Sequence, residues 1–347
     1  MAATLHDVAR VAGVSFKTVS NVINNHPHVR PVTRSKVEAA IAELGYRPNL
    51  AARSLRSGHT GAITLAVPQL KLPYFAELAD AVIAAAEARG LVVLIEQTGG
   101  NRERELEVLS SPRLQMSDGL LFSPLGLGEE DAALVKSEVP MVLLGERIFS
   151  GDCDHVTMQN VAAARAATDH LLDLGRNRIA VVGAHDGEVI GSAGLRLRGY
   201  REALAARGIA YDDSIVAYMW SWHRSNGAAA MRELLARGVT FDAVFGMNDT
   251  LAQGAMRVLQ QAGYRVPEDV AVIGFDDLDE TRYSLPTLST VDPGRVEIAE
   301  TAIRVLLERI MHPDGSAPQE IETTFKVVAR ESTLGQATVP AHPPSGS

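Results

Sequence analysis

From Thr4 to Asn24 apolar positions recur at helical spacing in two short runs, Leu5, Val8 and Ala9, then Val19, Val22 and Ile23, with Ala12-Gly13 between them. The pattern predicts two helices joined by a tight turn, a helix-turn-helix whose stripes face each other. Thr4 can cap the first helix, with Asp7 three residues on in a capping-box position, and Ser15 can cap the second. A third stripe, Val37, Ala40, Ile41 and Leu44, follows Thr33 as a candidate cap and stops at Gly45, which closes a small core. Phe16, Lys17, Ser20 and Asn21 are left on the outer face of the second helix. In such a unit the first residues of the second helix meet base edges in the major groove, so Phe16 and Lys17 are the candidate specificity positions.

Beyond Thr60 the pattern changes. Short apolar runs at Ala62 to Val67, Leu91 to Glu96, Gly119 to Ser123, Met141 to Leu144, Ile179 to Gly183, Ile215 to Met219, Ala243 to Met247 and Val270 to Phe275 read as buried strands. Amphipathic stretches at Phe75 to Arg89, Ala162 to Leu174, Arg198 to Arg207, Ala228 to Arg237 and Thr250 to Gln261 alternate with them. That alternation predicts an α/β body with doubly wound parallel sheets. At roughly 275 residues the body is long enough for two lobes or one large domain.

Charge separates the two regions further. The chain carries a formal charge of −9, yet the segment from Met1 to Gly58 holds eight basic residues against three acidic ones. A basic head on an acidic body confines phosphate attraction to one end.

The spaced residues Thr4-Leu5, Asp7-Val8-Ala9, Ala12-Gly13-Val14-Ser15, Thr18-Val19-Ser20, Asn24, Val29, Thr33-Arg34, Leu44-Gly45-Tyr46 and Pro48-Asn49 resemble the headpiece of LacI/GalR-type bacterial transcriptional repressors. The resemblance runs from about Ala3 to about Leu334. It implies a headpiece over 1–48, a hinge helix over 49–59 and an effector-binding and dimerisation domain over 60–335, while the prolines, serines and glycine of 336–347 read as a disordered tail. Within the body it implies two periplasmic-binding-protein-like lobes, the first about 60–160 and 292–323, the second about 161–291 and 324–335. The partners it implies are double-stranded operator DNA, a small-molecule effector and a second copy of the chain. Carried over position by position, the implied DNA contacts are Leu5, Ser15, Phe16, Lys17, Thr18, Ser20, Asn21, Asn24, His28, Asn49, Ala52, Arg53 and Leu55. The hinge run suits that role, because Asn49 can cap it, two alanines allow close approach, Leu55 is a wedge for the minor groove, and Arg53 and Arg56 can meet phosphates.

In open α/β sheets ligands lie beyond the carboxyl ends of the strands. Candidates there are Tyr74, Phe75, Thr98, Ser123 and Glu146 from the first half, and Ser192, Arg196, Trp222, Asn248, Asp249 and Asp276 from the second. The resemblance gives Arg196 the role of gripping effector oxygens, Trp222 that of stacking, and Asp276 that of accepting hydrogen bonds. An arginine fork, a carboxylate and an aromatic face suit a sugar, the leading effector, and a purine-like ligand would use the same three. Asp249 can instead cap the helix at Thr250.

No glycine-rich G-x-x-x-x-G-K loop, G-x-S-x-G elbow or H-E-x-x-H pair is present, so no enzyme, catalytic residue, metal or cofactor is expected. His185 reads as a loop residue and Trp220 as packing. The single Cys153 excludes an intrachain disulfide and fits a reducing cytosol. A solute-binding protein without a DNA partner is the other reading of the body. Met1-Ala2-Ala3-Thr4 lacks a basic stretch before an apolar segment, and no apolar span of about 18 residues occurs, which speaks for a cytoplasmic chain without a membrane segment. Repression and activation are not distinguished by the residues.

Overall fold

A computed structural model of the chain describes residues 3–23, 28–46, 59–313, 315 and 317–335. They form two units, one ending at Gly61 and one beginning at Ala62.

The first unit holds α1 (Leu5–Ala12), α2 (Phe16–Ile23) and α3 (Pro31–Leu44). Thr4 and Asp7 close a reciprocal capping box, with Asp7 N donating to Thr4 Oγ1 at 3.3 Å and Thr4 N to Asp7 Oδ2 at 3.0 Å. Gly13 turns the chain at φ 63°, a left-handed position that glycine adopts without a Cβ penalty. Ser15 Oγ accepts from Thr18 N at 3.1 Å, so the second cap also forms. Val8, Val19 and Val37 are fully buried and meet Val22, Ala40 and Tyr46 in one core. Thr33 is not a cap: α3 begins at Pro31 after Arg30, because proline presets the first-turn φ and has no N–H to satisfy.

The second unit begins with β1 (Ala62–Val67), α4 (Pro73–Glu87), β2 (Val92–Gln97), α5 (Arg102–Leu109), β3 (Leu120–Phe122), β4 (Met141–Leu144) and β5 (Asp154–Met158). It continues through α6 (Asn160–Asp173), β6 (Ile179–Ala184), α7 (Ser192–Ala206), β7 (Val216–Tyr218), α8 (Arg224–Ala236), β8 (Ala243–Gly246), α9 (Asp249–Gln261) and β9 (Ala271–Ile273). Last come β10 (Thr290–Asp292), α10 (Arg295–Met311), β11 (Glu320–Thr323), β12 (Lys326–Val328) and α11 (Glu331–Leu334).

A six-stranded sheet runs β11-β5-β4-β3-β1-β2, and every pairing in it is parallel. A four-stranded parallel sheet runs β7-β6-β8-β9, beside which β10 pairs antiparallel with β12. The chain therefore leaves the larger sheet after β5, returns to it through α10 and β11, and leaves again at β12. Each lobe is built from separated stretches of sequence.

Helix packing around the smaller sheet depends on glycines. A Cβ on Gly199 in α7 would stand 2.2 Å from Val161 O in α6, and one on Gly227 in α8 would stand 2.2 Å from Leu251 O in α9. Such contacts are forbidden to any other residue, so these helix pairs can pack closely only with glycine there. Gly199 lies one turn past Arg196 and Gly227 five residues past Trp222, so this packing also fixes where those two side chains project.

The apolar pattern above does not predict β5, β10, β11, β12, α5 or α10. Strand β5 reads Asp154-His155-Val156-Thr157-Met158 yet is entirely buried. Its leading carboxylate is matched by Arg309 of α10 in a bidentate pair at 2.5 and 3.0 Å, which offsets the cost of burying it.

Candidate functional site

A cavity of about 180 Å³ lies between the two lobes. Tyr74, Phe75, Ser123, Glu146, Ser192, Arg196, Trp222, Asn248 and Asp276 all line it. Tyr74 and Phe75 open α4, whose first turn is set by Pro73. Ser123 and Glu146 follow the ends of β3 and β4, and the other five come from the second lobe.

Arg196 is the hub. Only 3% of its surface is exposed. Its Nε donates to Asn160 Oδ1 at 2.7 Å, its Nη1 to Met247 O, and its Nη2 stands 3.8 Å from Asp276 Oδ1. The guanidinium also lies 3.5 Å from the centroid of the Phe275 ring and 5.5 Å from that of Trp222. Burial lowers its pKa, while the charges of Asp276 and Glu146 hold the proton on. The fork is thus fixed on one side by protein groups before any ligand arrives.

Asp276 sits at φ 117° and Asp277 at φ 48°, both in the left-handed region that non-glycine residues avoid. The surroundings hold them there. Asp276 N donates to Val291 O at 2.8 Å, Arg295 Nη1 donates to Asp276 O at 2.6 Å, and Arg330 and Arg282 take the Asp277 carboxylate at 2.5 and 3.0 Å. The result aims the Asp276 carboxyl into the cavity. Burial raises its pKa to about 7, with Arg196 and Arg295 pulling down and Glu146 and Glu77 pushing up.

A few polar bonds hold the lobes together around the cavity. Ser192 Oγ donates to Glu146 Oε2 at 2.7 Å, Arg147 Nη1 to Glu188 Oε2 at 3.3 Å, and Asp279 N to Glu77 Oε1 at 3.1 Å.

Two expected cavity residues lie elsewhere. Thr98 is buried, its hydroxyl against Glu105 Oε1 at 3.3 Å and accepting from Gly100 N, so it shapes the loop after β2 instead of facing a ligand. Asp249 is fully buried and accepts from Thr290 Oγ1 at 2.6 Å and Leu278 N at 2.9 Å. Its capping role belongs to Asn248, whose Oδ1 accepts from Leu251 N at 2.9 Å. Burial, with the Asp276 charge beside it, holds the Asp249 carboxyl well above the ordinary range.

The wall also holds residues with no expected role there: Glu188 and Arg147, along with His185, expected as a loop residue, and Trp220, expected as packing. Trp220 is 68% exposed and lies outside the apolar core, so it is not simple packing. Cys153 is inert: burial, with Asp154 and Asp152 beside it, pushes its thiol up to about 11.

In the first unit Lys17 is exposed, while Phe16, Ser20 and Asn21 are half-buried on α2. The Phe16 ring stacks on His6 with centroids 4.8 Å apart. Ser15 and Thr18 share a 2.8 Å hydrogen bond, Leu5 packs against the core, and His28 is exposed. Asn24, Asn49, Ala52, Arg53 and Leu55 lie outside the described residues, as do most of the hinge and the tail beyond Gly335.

A helix-turn-helix unit and a two-lobed body with a polar, aromatic-walled cavity, carried on one chain, define the class of DNA-binding transcription regulators with a small-molecule pocket. The chain belongs to the LacI family of bacterial regulatory proteins: residues 4–49 match the model of that family and residues 168–333 match a periplasmic binding protein-like domain. It is 36% identical to the ribose operon repressor of Escherichia coli (strain K12), over 90% of this chain and 94% of that protein. It is also 36% identical to the transcriptional regulator CelR of Thermobifida fusca, over 95% of this chain and 98% of that protein. Among solved structures, the lac repressor dimer bound to operator matches with a TM-score of 0.79 at 28% identity, covering 96% of this chain and all of that one. The protein is a sequence-specific DNA-binding transcriptional regulator, and its relatives are regulators. Among the described residues no helix is long and apolar enough to cross a membrane.

Proposed function

We propose that this regulator represses carbohydrate-utilisation genes by binding a near-palindromic operator as a dimer, and that a small sugar in the interlobe cavity releases it. The observation that carries the reading is the convergence of the prealigned Arg196 fork, the Asp276 carboxyl and the Trp222 face on one cavity. Hydroxyls pair with the charged groups and the C–H face of a sugar lies on the indole. CelR has been solved in complex with cellobiose, and a LacI-family regulator from Enterococcus faecium with bound ribose. A ligand that touches both lobes favours the lobe arrangement it binds better, and the hinge segment transmits that choice to the operator.

Dimerisation accounts for exposed apolar surface. Val92, Leu94 and Ile95 on edge strand β2 are 54%, 40% and 40% exposed, and Tyr283 and Leu285 on the other lobe are 80% and 74% exposed. An unpaired edge carrying aliphatic side chains is a liability that a second copy would cover.

At the operator Lys17 reads a base edge. Lys17→Ala is expected to relax sequence preference at one base pair by about 1 to 3 kcal/mol, measured by competition against single-substituted operators. Equal loss on every sequence would make Lys17 a phosphate contact only.

Both tryptophans of the chain line the cavity, so intrinsic fluorescence reports ligand directly. Titration with ribose, glucose, galactose and cellobiose tests the reading: a saturable change with at least one sugar supports it, and none with any sugar contradicts it. The affinity is expected to depend on pH. A ligand hydroxyl donates to the ionised Asp276 carboxylate, whose pKa burial raises to about 7. Binding must therefore displace a proton below that value. Affinity should rise from about pH 6 to about pH 8, a change of about tenfold, and Asp276→Asn should remove the slope.

A further inference from the structure

Trp222 stacks close to Arg196 at the floor of the cavity and packs against the core, its Nε1 donating to Gly183 O at 2.9 Å. Trp220 is different. Its indole stands toward solvent and meets the His185 imidazole in a stack with centroids 4.7 Å apart and planes 28° from parallel. His185 lies between the two indoles, its ring 5.4 Å from Trp222.

The imidazole is oriented by a charge. His185 Nδ1 is 2.6 Å from Glu188 Oε2, and the same oxygen accepts from Arg147 of the opposite lobe at 3.3 Å. Burial pushes the Glu188 carboxyl up, but the bond from His185 and the charge of Arg147 outweigh it and hold the group below its usual value. An ionised Glu188 carboxylate can only accept, so Nδ1–H donates to it, and in the tautomer that carries its proton on Nδ1 the Nε2 lone pair is an acceptor. That Nε2 is buried and has no hydrogen-bond partner. Structures rarely leave such an atom unmatched, and of the two indoles beside the ring Trp220 is the exposed one, free to turn and open the nitrogen to the cavity.

We propose that Trp220 and His185 form an outer subsite that receives the second ring of a disaccharide or glycoside effector, Trp220 covering its C–H face and His185 Nε2 accepting one of its hydroxyls. This rests on the sugar reading above and extends it from one ring to two. Two aromatic faces flank one histidine, while a single pyranose on Trp222 would leave Trp220 exposed and Nε2 unmatched. Glu188 joins the subsite to Arg147, so occupation of the outer ring also reinforces the bond between the lobes.

The test is calorimetric titration of the full chain with glucose against cellobiose and galactose against lactose, repeated on Trp220→Ala and on His185→Phe, which keeps a stacking ring but no acceptor. At least one disaccharide should bind about tenfold more tightly than its monosaccharide, and each variant should shrink that ratio by about tenfold. A monosaccharide that binds while its disaccharide binds no better, or a ratio that neither variant moves, overturns the outer subsite and leaves the sugar reading standing. No binding of any of the four sugars overturns both. Circular dichroism of the variants separates loss of the subsite from loss of fold.

Discussion

Replacing Arg196 with lysine is expected to weaken effector binding by about a hundredfold or more. The guanidinium reaches Asn160, Met247 O and Asp276 simultaneously and keeps its remaining face toward the cavity. An ammonium is a point charge and cannot span those partners. It leaves a backbone carbonyl and a buried carboxyl without their full complement, so the body should also lose about 3 kcal/mol of stability. Calorimetric titration reads the first effect and denaturant unfolding the second. A lysine variant that binds sugar within threefold of the parent would show that Arg196 holds the lobe together without touching ligand.

The second large effect concerns the head. Val37→Asp places a carboxylate at a fully buried position of a core that is aliphatic apart from Tyr46 and holds no cationic side chain. Burying an unpaired carboxylate costs several kcal/mol, about as much as the total stability of so small a unit. Operator binding should disappear, while the fluorescence response to sugar should persist because both tryptophans belong to the other unit. Band-shift and fluorescence titrations on one preparation check both halves. Retained operator binding would contradict the assignment of the three-helix unit as the DNA reader.

Much of this fold is legible in the chain because its determinants are local. The capping box of Thr4 and Asp7, the Ser15 cap and the Gly13 turn lie within a few residues of what they organise. Near-continuous apolar runs such as Ala62-Ile63-Thr64-Leu65-Ala66-Val67, broken only by Thr64, announce buried parallel strands for the same reason. Where the controlling partner is remote, the pattern fails. Strand β5 looks too polar until Arg309, 155 residues away, is seen to match Asp154.

The candidate site divides along the same line. Strand ends locate the cavity wall, and nine of the eleven expected residues stand on it. Thr98 and Asp249 occupy equivalent chain positions, but Glu105 and Thr290 take their polar atoms inward. Which way a side chain turns at a strand end is a tertiary matter, invisible to spacing. His185 and Trp220 show the reverse. Thirty-five residues apart, they become a ring stack only when β6 and the segment after β7 lie side by side.

The central claim is that one chain reads a DNA sequence and releases it when its cavity fills. The measurement that tests this most directly is selection of bound sequences from randomised duplex DNA at fixed salt, followed by titration of the recovered site with the sugars that change tryptophan fluorescence. The account expects a near-palindromic site whose affinity falls at the sugar concentration that saturates the fluorescence change. A recovered site whose affinity is indifferent to every sugar bound in the cavity would contradict it.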